Sequence, residues 1–213
     1  MSDKPHKKEV RRQRREEDKA RRTRELRRQN ILVWGGVSVI VLLAGFLVFQ
    51  SINPAGQPGT AVRDLGNQHV NTPEDVLPGM YNSTPPTSGP HMPRLWSWGI
   101  SQEQIPDAWQ VHNLEDGGVL MQYDCPDGCS GLLAQVTELA SRIMSDTSLA
   151  NSRTGETHFI LAPYTGIRDA SGGKPIALTA WTRIQYFDAV DVEEMMKFIR
   201  AYINVDHHRG GTG

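Results

Sequence analysis

The sequence predicts an α/β domain carried behind a single membrane-spanning helix, and three observations predict it. Ile31 to Phe49 reads ILVWGGVSVIVLLAGFLVF, inside a stretch from Gln29 to Val62 that has no charged residue. About 20 apolar residues make roughly 30 Å of helix, enough to cross a bilayer once. The charge is split by position: residues 1–30 hold 13 Lys/Arg and 6 Asp/Glu, while the remainder holds 10 and 18. Beyond Gly117, short apolar runs alternate with segments of helical periodicity.

The Arg-rich stretch Arg11 to Gln29 abuts one end of the span, so the positive-inside rule places the N-terminus in the cytoplasm and the C-terminal part across the plasma (inner) membrane, periplasmic or extracellular. A cleaved signal peptide has a shorter apolar core and a small-residue cleavage site, and neither is present. The interleaved Glu16, Glu17, Asp18 and Glu25 describe a solvated stalk that sets topology, so the expected partner is the lipid bilayer and not nucleic acid. Only two cysteines occur, which excludes a disulfide-dense secreted miniprotein. The expected organisation is a basic segment 1–30, a transmembrane helix 31–50, a linker 51–68, a Pro/Trp-rich extension 69–116 packed on the domain, a core 117–205 and a tail 206–213.

Within the core, Gly118 to Tyr123 (GVLMQY) reads as a strand ending at Cys125 and Cys129. Leu132, Leu133, Val136, Leu139, Ala140 and Ile143 recur at helical spacing, so a helix runs from near Ser130 to about Met144. His158 to Tyr164 and Ile176 to Phe187 read as two strands joined in a hairpin by the turn segment Ala170 to Lys174. Val192, Met195, Met196, Ile199 and Ile203 mark a final amphipathic helix. The order β-α-β-β-α is the minimal core of a thioredoxin-like fold, with a dithiol between the first strand and the first helix and Pro175 ahead of the later hairpin strand.

The cysteines lie four apart, which on a helix would put both sulfurs on one face, and a helix N-terminus favours the thiolate. Soft thiolates select Cu(I) or Zn. The structural alternative is a disulfide, although a loop of about five residues gains only about 2 kcal/mol. Histidines His69, His91 and His112, with Glu115 and Asp116 just behind the last, offer neutral imidazoles and carboxylates for a divalent metal. Alternatively, each histidine hydrogen-bonds loop backbone that lacks ladder partners. Met80, Met92 and Met121 are candidate thioether ligands or core filler, His158 opens a strand, and His207 and His208 belong to the tail. Trp96, Trp98, Trp109 and Trp181 are expected in the core. There is no G-x-S-x-G, H-E-x-x-H or phosphate-binding Gly-rich loop, so ordinary hydrolase, kinase and dehydrogenase readings fall away.

Two resemblances add to this reading. Ser83 to His91 (STPPTSGPH) with Val111 to Gly118 (VHNLEDGG) resembles an uncharacterised bacterial family of membrane-anchored extracytoplasmic domains, whose pattern pairs PPTSG-x-H with H-x-LEHG over roughly His69 to Phe198. The chain departs from that pattern at Asp116, where the family has His. Locally, YDCPDGC from Tyr123 to Cys129 is similar to the C-P-D-x-C segment of Sco-type copper chaperones. That similarity implies Cu(I) bound by two thiolates and a histidine, and a role in copper delivery or thiol redox control. The expected function is therefore non-catalytic metal handling, with copper as the cofactor, or thiol redox maintenance. The alternative is an accessory or structural subunit of a membrane protein complex. The candidate metal ligands are Cys125, Cys129, His69, His91, His112 and Glu115, and the two cysteines are also the candidate disulfide.

Overall fold

The computed structural model describes residues 34–38, 41, 56–126 and 128–208. The basic segment and nearly all of the expected transmembrane helix lie outside these residues; 34–38 and Val41, which are described, are helical. Among the described residues, no helix is long and apolar enough to cross a membrane. The chain divides into two compact units, Met1–Gly56 and Gln57–Gly213.

The second unit is a mixed α/β structure around a six-stranded sheet. Its strands are β1 (Thr60–Ala61), β2 (Gly99–Ile100), β3 (Val119–Tyr123), β4 (Phe159–Pro163), β5 (Ile176–Ala180) and β6 (Arg183–Phe187), arranged β1-β6-β5-β3-β4-β2. The α-helices are α1 (Asp107–Glu115), α2 (Ser130–Ser145), α3 (Ile167–Ser171) and α4 (Val192–Tyr202). Strand β3 is central: it pairs parallel with β4, Val119 opposite Phe159, and antiparallel with β5, Tyr123 opposite Ile176. The short β2 extends the parallel side against β4.

Both faces of the sheet are covered, which is why the central strands read as continuous apolar runs rather than alternating ones. Val119, Met121, Phe159, Leu161, Ile176 and Leu178 pack on one face against Val136, Leu139 and Ile143 of α2 and Met195, Phe198 and Ile199 of α4. Leu120, Ile160 and Ala162 face the other way, against Ile105, Val111, Leu114 and Trp181, with Tyr81, Trp96, Trp98 and Trp109 closing over them. Helix α4 starts at Asp191, whose carboxylate accepts from the Glu194 N–H at 3.1 Å.

Two sequence expectations change. The run Ile176 to Phe187 is two strands, β5 and β6, and they form the hairpin; β4 and β5 do not pair, and the segment between them holds α3. Trp181 and Thr182 carry none of the Gly, Asn or Pro signals of a tight turn, yet Thr182 adopts φ +57°. It is held from outside: its N–H donates to the Thr87 carbonyl at 3.0 Å, and its carbonyl accepts from Val62 N–H at 2.9 Å. The second change is α1, a helix inside the Pro/Trp-rich extension 69–116, where the sequence pattern predicts none. Seven of its residues are buried, Gln110, His112, Asn113 and Glu115 among them, so it has no polar face to announce it.

Candidate metal centre

Two extended coil segments and the end of α1 meet beside the sheet. Gly89 N–H donates to the Gly66 carbonyl at 2.9 Å, His91 N–H to Gln68 at 3.0 Å and Val70 N–H to His91 at 2.8 Å, so 66–70 and 89–91 run as a parallel pair with His69 opposite His91. Ser88, fully buried, accepts from Leu65 N–H at 3.0 Å, and Met92 N–H donates to Ala108 at 2.7 Å, which ties this pair to α1. From α1, His112 and Glu115 project on one face because they are three residues apart.

The result is a cluster of His69, His91, His112 and Glu115 in which one ligand atom from each lies within 4.8 Å of the others, a grouping that could hold a metal ion. The three imidazole centroids are 5.0, 5.1 and 5.3 Å apart. Glu115 Oε2 is 2.9 Å from His91 Nε2, 3.7 Å from His112 Nδ1 and 3.9 Å from His69 Nε2. Neighbouring ligands of a tetrahedral ion at about 2.0–2.1 Å are themselves about 3.3 Å apart, so small side-chain adjustments would close the set. His91 and Glu115 are fully buried, His112 nearly so, and His69 faces solvent.

The hydrogen-bond chemistry leaves a place for a cation. His91 Nδ1 lies 2.8 Å from the Gly89 carbonyl, which can only accept, so Nδ1 carries the proton and Nε2 presents its lone pair to the Glu115 carboxylate. Two acceptors 2.9 Å apart require a proton or a metal ion between them. A histidine that donates one N–H to a backbone carbonyl and ligates through the other nitrogen is the usual arrangement around a bound metal. His112 Nδ1 is buried without a hydrogen-bond partner. Burial, reinforced by the neighbouring His91 ring, lowers His112 to about 4, and burial also lowers His91, so both imidazoles are held neutral as ligands must be. The second Glu115 oxygen is fixed by Asn67 Nδ2 at 2.7 Å, and Trp181 stands edge-on to His91 with ring centroids 6.2 Å apart.

The cysteines lie elsewhere. Cys125 and Cys129 are at disulfide distance, with Cα atoms 5.7 Å apart, in the loop between β3 and α2, and their groove is lined by Pro126, Gly128 and Arg168. Glu115 precedes β3 and the cysteines follow it, so five residues of strand, about 16 Å, separate the two places. Among the described residues, no cysteine joins a metal-type group, and the expected set of two thiolates with a histidine is not brought together. Cys129 sits at the N-terminal boundary of α2 and Cys125 outside it, so the sulfurs do not share a helix face.

Other candidates also separate. Met121 is buried in the core, Met92 is buried, and Met80 is exposed. His158 stacks on Trp98 with centroids 4.5 Å apart and donates from Nδ1 to the Asp116 carbonyl at 3.1 Å, a packing role. Sequence reasoning passed over Asn67 and left His208 in a polar tail. The only signal for Asn67 was its position two residues before His69.

These features define a mixed α/β domain with a buried His/Glu cluster at one end of its central strand. The model of the family described as a protein of unknown function, DUF3105, matches residues 69–212, and the chain belongs to that family. No curated protein and no solved structure matches it.

Proposed function

We propose that the chain is a membrane-anchored extracytoplasmic domain that binds a divalent transition-metal ion, copper first, through His69, His91, His112 and Glu115, and that it handles the ion without catalysing a reaction. The observation that carries this reading is the buried lone-pair encounter between His91 Nε2 and Glu115 Oε2, beside the unpartnered His112 Nδ1. Imidazole and carboxylate donors suit Cu(II) and Zn(II), and divalent copper binds such sets most tightly among the first-row ions. The lack of a thiolate in the cluster argues against Cu(I) as the resident ion. The anchored topology rests on the charge-free run 31–49 with its flanking basic segment.

The strand order around β3, with a parallel neighbour on one side and an antiparallel hairpin on the other, supports a thioredoxin-like reading of the core. Cys129 at the N-terminal boundary of α2, with Cys125 at disulfide distance in the loop before it, favours thiol redox maintenance as a second activity, separate from the metal cluster.

Competition titration of the metal-free full chain in detergent tests the reading. Cu(II) and Zn(II) should bind tightly, and the His91→Ala/Glu115→Ala double variant should lose the tight ion while keeping its fold by circular dichroism. A wild-type chain with no affinity for either ion, or a double variant that binds as tightly, would overturn it.

A further inference from the structure

We infer a second, outer metal site built from His112, Asp116 and His208, which shares the His112 ring with the inner cluster and exchanges ions with solvent; this rests on the inner cluster being a metal site. One ligand atom from each of these three residues lies within 4.8 Å of the others. His112 presents a different nitrogen to each side: Nδ1 is 3.7 Å from Glu115 Oε2, and Nε2 is 3.5 Å from Asp116 Oδ2. A ring placed between two carboxylates in this way can bridge two ions, giving up its remaining proton to solvent when both nitrogens coordinate.

His208 is brought there by the returning C-terminal segment and not by chance exposure. Asn204 N–H donates to the Gly117 carbonyl at 2.7 Å, and His207 N–H donates to the Glu115 carbonyl at 2.8 Å. His207 stacks on Trp181 with ring centroids 6.1 Å apart, which fixes the segment over the end of α1. His208 Nδ1 faces the outer carboxylates, 3.5 Å from Asp116 Oδ1 and 2.8 Å from Asp206 Oδ1, while its Nε2 lies 3.6 Å from Glu115 Oε2. The Nδ1 proton now directed at Asp206 is released when an ion takes its place, as binding to a neutral imidazole requires.

Charge and exposure assign different roles to the two places. Glu115, Asp116 and Asp206 together supply the negative charge that two neighbouring dications require. The inner ligands His91 and Glu115 have side chains 0% and 1% exposed, whereas Asp116 and His208 are 25% and 42% exposed. Of the inner ligands His69 alone, 47% exposed, reaches solvent, so the outer site offers a second exposed entry, joined to the inner one by the shared ring.

Metal titration of the full-length chain, read by stoichiometry and by the electron paramagnetic resonance of Cu(II), tests this. Two Cu(II) per chain are expected, with a signal weaker than two isolated ions because the bridging ring couples them. The Asp116→Ala/His208→Ala variant should bind one Cu(II), with the signal of one uncoupled ion, at an inner-site affinity within a few-fold of wild type. One ion in the wild-type chain that survives these changes would overturn the outer site and leave the inner one standing, as would two ions indifferent to them. One ion lost with the variant would mean a single site that includes His208, which also overturns the proposal. No binding at all would overturn both readings.

Discussion

Glu115 uses both oxygens: Oε1 accepts from Asn67 Nδ2, and Oε2 faces the imidazoles. Removing Asn67 leaves every ligand in place but frees the carboxylate to rotate. Asn67→Ala should weaken metal binding about 10–100-fold without changing the stoichiometry, the size expected for a group that orients a ligand. Competition against a chelator measures it, and an unchanged affinity would mean Glu115 is not held by this contact. The histidines make a second prediction at this scale. Burial lowers His112 from 6.5 to about 4 in the folded chain. A folded value below the unfolded one means the unfolded chain takes up the proton first as pH falls. Stability of the metal-free protein is thus fully present above about 6.5 and is lost as the pH drops toward about 4. Thermal melts across that window should show the decline, and His112→Gln should make it shallower, the buried His91 supplying the rest. A wild-type melting temperature that does not move between these pH values would contradict the burial of a neutral ring.

At the level of elements, the junction between α1 and β3 holds the cluster against the sheet. Gly118 N–H donates to the Asn113 carbonyl at 2.8 Å, and a Cβ at Gly118 would lie 2.5 Å from that oxygen and 2.7 Å from the Trp98 ring. Gly118→Ala should therefore cost about 1–3 kcal/mol in denaturant unfolding, in the range of overpacked sites, and should weaken metal binding by displacing the end of α1. No loss of stability would mean that this junction does not hold the end of α1. The same elements explain what the sequence revealed. Helix α2 and helix α4 were legible because each buries one stripe, and β3 and β4 because their apolar runs are bounded by loops. Helix α1 was not, because its buried residues include Gln110, His112 and Asn113, whose polarity hides the helical pattern. The β5–β6 turn was not, because Thr182 is held by Thr87 and Val62, residues far away in sequence. His69, His91, His112 and Glu115 stood out as ligand types, but their meeting depends on the pairing of two coil segments, which no local periodicity encodes. His208 was missed for the same reason, since its position comes from the docking of 204–207 on α1.

Across the whole domain, the two chemistries implied by the sequence sit at opposite ends of β3. The cysteine loop stands next to α3 and Arg168, and the histidine cluster lies by the C-terminal end of α1. They should therefore respond independently to mutation. Cys125→Ser should lower stability by about 2 kcal/mol, the loop-closure value for so short a ring, and leave the metal stoichiometry unchanged. Denaturant unfolding and metal titration of the same preparation check both halves of that statement, and loss of an ion in the serine variant would place sulfur in the site after all. Imidazole and carboxylate ligation is distinguished from thiolate ligation most directly by X-ray absorption at the metal edge of the loaded full chain, which reads the ligand atoms. A nitrogen and oxygen shell at about 2.0–2.1 Å with the outer-shell scattering of imidazole rings is expected. A sulfur shell at about 2.3 Å would contradict it.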